Sequence, residues 1–144
     1  EFFARQRIGF QIDLARKTGA ADPAMVRDCE RFMDRIGEIL IEPESSSLLH
    51  GDLWGGNYMV DERGAPVLID PAVYYGHREA DLAMTSLFGG FDSRFYKAYN
   101  EAWPLQPGFD KRRDAYNLYH MLNHLNLFGG SYTSAVRSIL KSYL

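Results

Sequence analysis

A single cysteine, Cys29, leaves this 144-residue sequence unable to close an internal disulfide, which excludes a stapled scaffold and points to a reducing compartment. Cys29 falls on the apolar face of a helical pattern, the ordinary place for a buried structural thiol. There is no signal-peptide pattern, no apolar run long enough to cross a bilayer and no N-x-S/T glycosylation site. These absences predict a soluble, cytoplasmic protein with no membrane partner. Excess positive charge is also missing: 16 Lys and Arg stand against 19 Asp and Glu. The one dense basic run, Lys111-Arg112-Arg113, reads as a solvated helix start, so nucleic acid is not an expected partner. A G-x-S-x-G elbow, a C-x-x-C pair and a Walker-type lysine loop are all absent, which sets aside the enzyme classes that depend on them.

What is present is mostly helical pattern around one short β segment. Phe3, Phe10 and Leu14, with Ile8, Ile12 and Ala15, recur at helical spacing over about residues 2–18 until Gly19 stops them. Asp22 and Pro23 form a helix opening, and Val26, Cys29, Phe32 or Met33, Ile36 and Leu40 predict a second helix to about Ile41. The run NYMV, the turn DERGA and the run PVLID read as strand, turn and strand, with Gly64 supplying the turn. PAVYYGH reads as irregular. Further helices are expected from about Arg78 to Gly89-Gly90, from an Asp92 or Ser93 cap to Pro104, from about Phe109 to Phe128, and from Thr133 onward. The sequence begins at Glu1 rather than Met and reads as a piece of something longer.

The octet HGDLWGGN, His50 to Asn57, carries the chemistry. Its spacing is H-x-D-x-x-x-x-N, in which phosphoryl-transfer enzymes of the protein-kinase layout use the Asp to accept the hydroxyl proton and the Asn to bind magnesium. A second magnesium-binding Asp follows in that layout, and Asp70 stands at the end of the hairpin pattern. A hairpin brings its ends together, so Asn57 and Asp70 are expected to face one another, as two ligands of one hard cation must. Three fixed positions match by chance in about 2% of chains this long, so the octet needs the hairpin to support it. The plain alternative is a buried hairpin whose His50 and Asp52 only cap backbone. Trp54 could pack over a sugar face or merely fill the loop. Asp81 could bind backbone amides of a neighbouring loop or serve as an ordinary acid at a helix start. His120 and His124 have the spacing of zinc ligands on a helix, but Met121 stands where a metalloprotease needs Glu, so a polar helix seam satisfied by Asn123 is the better reading. Gly89-Gly90 and Gly129-Gly130 follow helical patterns and read as helix stops rather than phosphate cradles.

With HGDLWGGN, IDPAVYYGHREADLAM, LFGGF and HMLNHLNLFGGSY all in view, the chain resembles the fructosamine-3-kinase, or ketosamine kinase, family over nearly its whole length. That family is related in fold to aminoglycoside phosphotransferases and choline kinases. The resemblance implies a mostly α fold with a small β-hairpin, the C-terminal lobe of a protein-kinase-like protein, across residues 1–144. It implies ATP-dependent phosphorylation of the third sugar carbon of a ketosamine, free or protein-bound, whose product decomposes and frees the amine: deglycation. Asp52 is then the catalytic base, His50 braces its loop, and Asn57 and Asp70 are the magnesium ligands that hold the cofactor ATP. Trp54 and Asp81 are candidate substrate contacts, and Asp81 also ties the loop to the following helix. No G-x-G-x-x-G occurs, and Lys17, Lys97, Lys111 and Lys141 all lie in helical pattern, so the N-terminal nucleotide lobe is expected to be absent from this chain and the isolated segment inactive. The alternatives are a kinase of an aminoglycoside or choline-like alcohol, and a non-catalytic helical binding module.

Overall fold

The computed structural model describes residues 1–144 and divides into two compact units, one made of Glu1–Ile41 with Asn117–Leu144 and the other of Glu42–Tyr116. The first unit is wholly helical. A π-helical segment, Phe3–Gly9, runs into α1 (Phe10–Thr18), which Gly19 ends in the left-handed conformation. Two apolar stripes compete on this stretch, Ile8-Ile12-Ala15 and Phe3-Phe10-Leu14, and at 3.6 residues per turn they lie about 150° apart. Only one can face inward. Ile8, Ile12 and Ala15 are buried, whereas Phe10 is 62% and Leu14 37% exposed, so the helix buries one set and leaves the other on the surface.

The Asp22 side chain accepts the Met25 N–H at 2.9 Å and Pro23 occupies the first turn of α2 (Pro23–Asp34), which buries Met25, Cys29 and Phe32. Continuation to Ile41 does not occur. The helix stops at Arg35 and a single turn, α3 (Ile36–Ile39), follows, because Gly37 weakens propagation and Arg35 turns to Glu38 and the Tyr143 carbonyl. The helix predicted from Phe109 is α6 (Phe109–Phe128), and α7 (Thr133–Tyr143) closes the chain. Within this unit Leu118, Leu122 and Leu125 of α6 are buried, as are Val136 and Leu140 of α7. His120 is buried as well, and burial, aided by the charge of Arg7, pushes its pKa down to about 3. One ring nitrogen of His124 donates to the His120 carbonyl at 2.8 Å. The expected role of Asn123 is not seen: its amide oxygen accepts from Gln11 at 3.3 Å instead of serving an imidazole.

The second unit contains all the strands. β2 (Tyr58–Val60) and β3 (Pro66–Leu68) form the predicted antiparallel hairpin with Met59 opposite Val67, and Asp61 accepts the Arg63 and Ala65 amides across its turn. PAVYYGH is not irregular throughout, since β4 (Tyr74–Gly76) pairs antiparallel with β1 (Ser47–Leu49), Leu48 opposite Tyr75. Its partner lies more than twenty residues upstream, so no local turn signal announces the pairing. The chain therefore has two small sheets where a single hairpin was expected. α4 (Glu79–Leu87) and α5 (Ser93–Ala102) follow, the latter capped by Asp92, which accepts the Arg94 and Phe95 amides. Arg112 overturns the solvated reading of its basic run: it is buried and paired side-on with Glu79 at 2.6 and 2.8 Å. A charge run on a helix start cannot reveal which member meets a buried carboxylate.

Candidate active site

The loop His50–Asn57 leaves β1 at the buried Leu49 and enters β2 at Tyr58, so both ends are anchored in sheet. At its start the backbone turns sharply. Gly51 has φ +83°, and a Cβ there would meet the Ala72 carbonyl oxygen at 2.1 Å, so only glycine fits. The same crossing is fastened by the Ala72 N–H, which donates to the His50 carbonyl at 2.8 Å.

His50 is buried and both of its ring nitrogens are used. Nε2 lies 2.9 Å from the Ile69 carbonyl and Nδ1 accepts the Asp52 N–H at 3.3 Å, a pair of roles that requires a neutral ring with the proton on Nε2. Asn57, also buried, donates through Nδ2 to the Asp52 carbonyl at 2.9 Å and to Asp52 Oδ2 at 3.0 Å. Its own N–H returns to the Trp54 carbonyl at 2.9 Å, closing the loop on itself. The Ile69 N–H donates to the Asn57 carbonyl at 3.0 Å. Ile69 thus touches His50 with its carbonyl and Asn57 with its amide, and Asp70 is the next residue. The loop and the end of β3 are one hydrogen-bonded unit.

Asp70 itself is exposed and sits at φ +57°, a conformation adopted by no other non-glycine residue of the chain. An Asp held in the left-handed region is a small store of strain, which gathers at functional positions. Its carboxylate makes no hydrogen bond or ion pair within the chain, so both oxygens remain open to a ligand.

Asp81, in the first turn of α4, accepts the His50 amide at 2.7 Å through Oδ2 and the Gly51 amide at 2.9 Å through Oδ1. Each carboxylate oxygen is therefore occupied by the loop. Burial pushes the Asp81 carboxyl above its usual range, against the pull of the Gly51 and His50 amides. Trp54 is 38% exposed and meets Phe88 edge-on, with ring centroids 6.2 Å apart. The indole covers Gly56, where a Cβ would lie 2.4 Å from the ring.

Gly90 does more than stop a helix: a Cβ on it would meet the Gly55 Cα at 2.5 Å, so two glycine pairs let two backbones touch. Tyr58 reinforces the contact, its hydroxyl donating to the Gly90 carbonyl at 3.2 Å. The recurrence of Gly-Gly in WGG and FGG was the available signal. No three His, Cys, Asp or Glu side chains converge into an all-protein metal cage. The candidate oxygens for a hard cation are the Asn57 amide oxygen, whose Nδ2 is engaged by Asp52, and the carboxylate of the exposed Asp70.

Known proteins share this arrangement of chain. The fructosamine kinase family model matches residues 1–144. The probable ketoamine kinase of Synechocystis sp. is 45% identical over 100% of this chain and 48% of its own length. The chloroplastic protein-ribulosamine 3-kinase of Oryza sativa subsp. japonica is 46% identical over 100% of this chain and 42% of its own. The crystal structure of a candidate fructosamine-3-kinase from Thermobifida fusca superposes with a TM-score of 0.92 at 39% identity, over 99% of this chain and 50% of that one. The chain spans about half the length of the relatives it matches. No helix in it is long and apolar enough to cross a membrane.

Proposed function

The chain belongs to the fructosamine kinase family, and from that premise we propose that the complete protein phosphorylates a ketosamine hydroxyl with ATP, this chain supplying the catalytic base and the metal ligands. Relatives named as ketoamine kinase and protein-ribulosamine 3-kinase support the substrate class and the third sugar carbon as acceptor. In a protein-kinase-like fold, residues 1–144 are then the C-terminal lobe. The nucleotide lobe lies in the half of the relatives' length that this chain does not span. Lys17, Lys97, Lys111 and Lys141 all sit in helices, so a strand lysine for the phosphates must come from elsewhere.

The observation that carries the reading is the closed arrangement of Asp52, Asn57 and the Ile69-Asp70 strand end. Asn57 Nδ2 fixes Asp52 Oδ2 and leaves Oδ1 turned to no partner in the chain, suited to receive a proton. As the sugar oxygen bonds to the γ-phosphorus of ATP, the bond from that phosphorus to the bridging oxygen breaks, ADP departs, and the hydroxyl proton passes to Asp52. Asn57 and Asp70 would hold magnesium, two protein oxygens being the number this ion commonly takes alongside phosphates. When bound it offsets charge on the phosphate oxygens. His50 and Asp81 brace the loop, and Trp54 offers a partly exposed apolar face beside it for a sugar ring. Phosphorylation at the third carbon makes the ketosamine decompose, so the consequence is deglycation.

The test is an assay of the complete protein with ATP and magnesium on fructosyl-lysine, an aminoglycoside and choline, with the phosphorylated carbon located by NMR. Phosphate on the third carbon of the ketosamine is expected, and Asp52→Ala should lower turnover by ~10²–10⁴-fold while the protein stays folded. Turnover of only the aminoglycoside or choline, or near-normal activity of Asp52→Ala, overturns the proposal.

A further inference from the structure

Glu79 and Arg112 form the most deeply buried ion pair of the chain, with side chains 1% and 8% exposed. The geometry is the side-on fork: Arg112 Nε donates to Oε2 at 2.8 Å and one terminal nitrogen to Oε1 at 2.6 Å. The guanidinium is then completed by the Pro107 carbonyl at 2.9 Å and the Gln106 carbonyl at 3.1 Å. Arg78 takes the Trp103 and Pro104 carbonyls in the same segment, at 2.8 and 2.6 Å. Four of the five guanidinium N–H groups are answered, which holds the pair in one orientation.

Such a pair is a poor source of stability. Desolvating two charges cancels much of their attraction, and apolar side chains of similar volume often do as well or better. What an ion pair of this kind does well is hold a position. Glu79 is the first residue of α4, and Asp81, two residues on, projects about 200° round the helix axis. The first turn is therefore gripped from one side by Arg112 while its other side grips the His50 and Gly51 amides. No side-chain cap from Arg78 steadies this turn, and its leading amide, of Glu79, rests on His77 Nδ1 at 3.1 Å.

We propose that Glu79 and Arg112 are positioning residues, which set Asp52 by fixing the helix turn from which Asp81 holds the loop. The consequence for turnover rests on the kinase reading, but the consequence for the loop does not. A small displacement of a catalytic group can lower turnover by orders of magnitude without altering what binds.

The test uses the complete protein with Glu79→Met/Arg112→Met, which replaces the pair by apolar volume, and with Glu79→Gln alone. Amide hydrogen exchange is followed by NMR beside steady-state kinetics. In the folded double variant, exchange at His50 and Gly51 should quicken about tenfold or more while α6 amides keep their rates, and kcat should fall about ten- to a hundredfold with both KM values within about twofold. A purely structural pair predicts uniform faster exchange, or none, and that result overturns the proposal. Should the double variant not fold, Glu79→Gln decides on the same readouts. Selective loosening of His50 and Gly51 in a protein that phosphorylates no ketosamine supports the positioning role and overturns the kinase reading alone.

Discussion

The two units spend their buried polar groups differently. In the unit of Glu1–Ile41 and Asn117–Leu144, side chains such as Gln11, Asn123 and Asn126 bond to one another or to helix backbone, around a core of Leu, Ile and Met. In the unit of Glu42–Tyr116, His50, Asn57, Asp81 and the Glu79–Arg112 pair all converge, directly or through one helix turn, on a single loop of eight residues. The first pattern makes a fold. The second makes a fixed geometry, and it tolerates an exposed apolar hairpin, with Met59, Val60 and Leu68 each more than half exposed, that a fold optimised for burial alone would cover.

The sharpest contrast is in pH. His120 stays neutral in the folded protein because its pKa falls from 6.5 to about 3, while in the unfolded chain it takes a proton below about pH 6.5. The unfolded state then binds more protons between these values, so stability rises with pH across this window and is lost as pH falls from about 6.5 to 3. The loss from this group reaches at most roughly 4–5 kcal/mol. Denaturant titrations of the complete protein at intervals across the window, compared with His120→Gln, should show the steeper acid loss only in the unsubstituted protein. Parallel curves would remove His120 from the account.

Gly51→Ala strikes the other unit. Its methyl group meets the Ala72 carbonyl at 2.1 Å and its φ is unfavourable, so we expect about 3 kcal/mol of destabilisation together with loss of turnover per folded molecule. Unfolding and active-site-normalised kinetics check both halves. Asp61→Ala lies in the same unit but away from the loop. Removing the acceptor for the Arg63 and Ala65 amides should cost about 1 kcal/mol and leave turnover per folded molecule within about twofold. If Asp61→Ala damages turnover as Gly51→Ala does, the unit is globally fragile and the loop is not a special arrangement.

How much of this could be read in the sequence follows from the range of each signal. Asp22-Pro23, Asp92, the turn at Gly64 and the limits of α6 are set within a few residues, and there the expectations match the structure. The octet is equally local, so its spacing alone singles out His50, Asp52 and Asn57 as candidates. Where two distant segments must meet, the pattern is silent. It could not choose between the two stripes of α1, pair Tyr74–Gly76 with Ser47–Leu49, or tell that Arg112 is the one buried member of its basic run. Gly90 looked like a helix stop because its second task, contact with Gly55, depends on a segment more than thirty residues away. Asp81 was open to two readings from sequence alone, and only the fold brings both of its oxygens to the loop amides.

If Asn57 and Asp70 present their oxygens to one cation beside Asp52, the two side chains are coupled through that ion. Manganese binding to the complete protein in the presence of ATP, followed by water-proton relaxation for the unsubstituted protein, Asn57→Ala, Asp70→Ala and the double variant, tests it most directly. Each single change should weaken binding at least about tenfold, and the double variant should be less than additive, as expected of two ligands on one ion. Unchanged affinity in Asp70→Ala, or strictly additive losses, would contradict it.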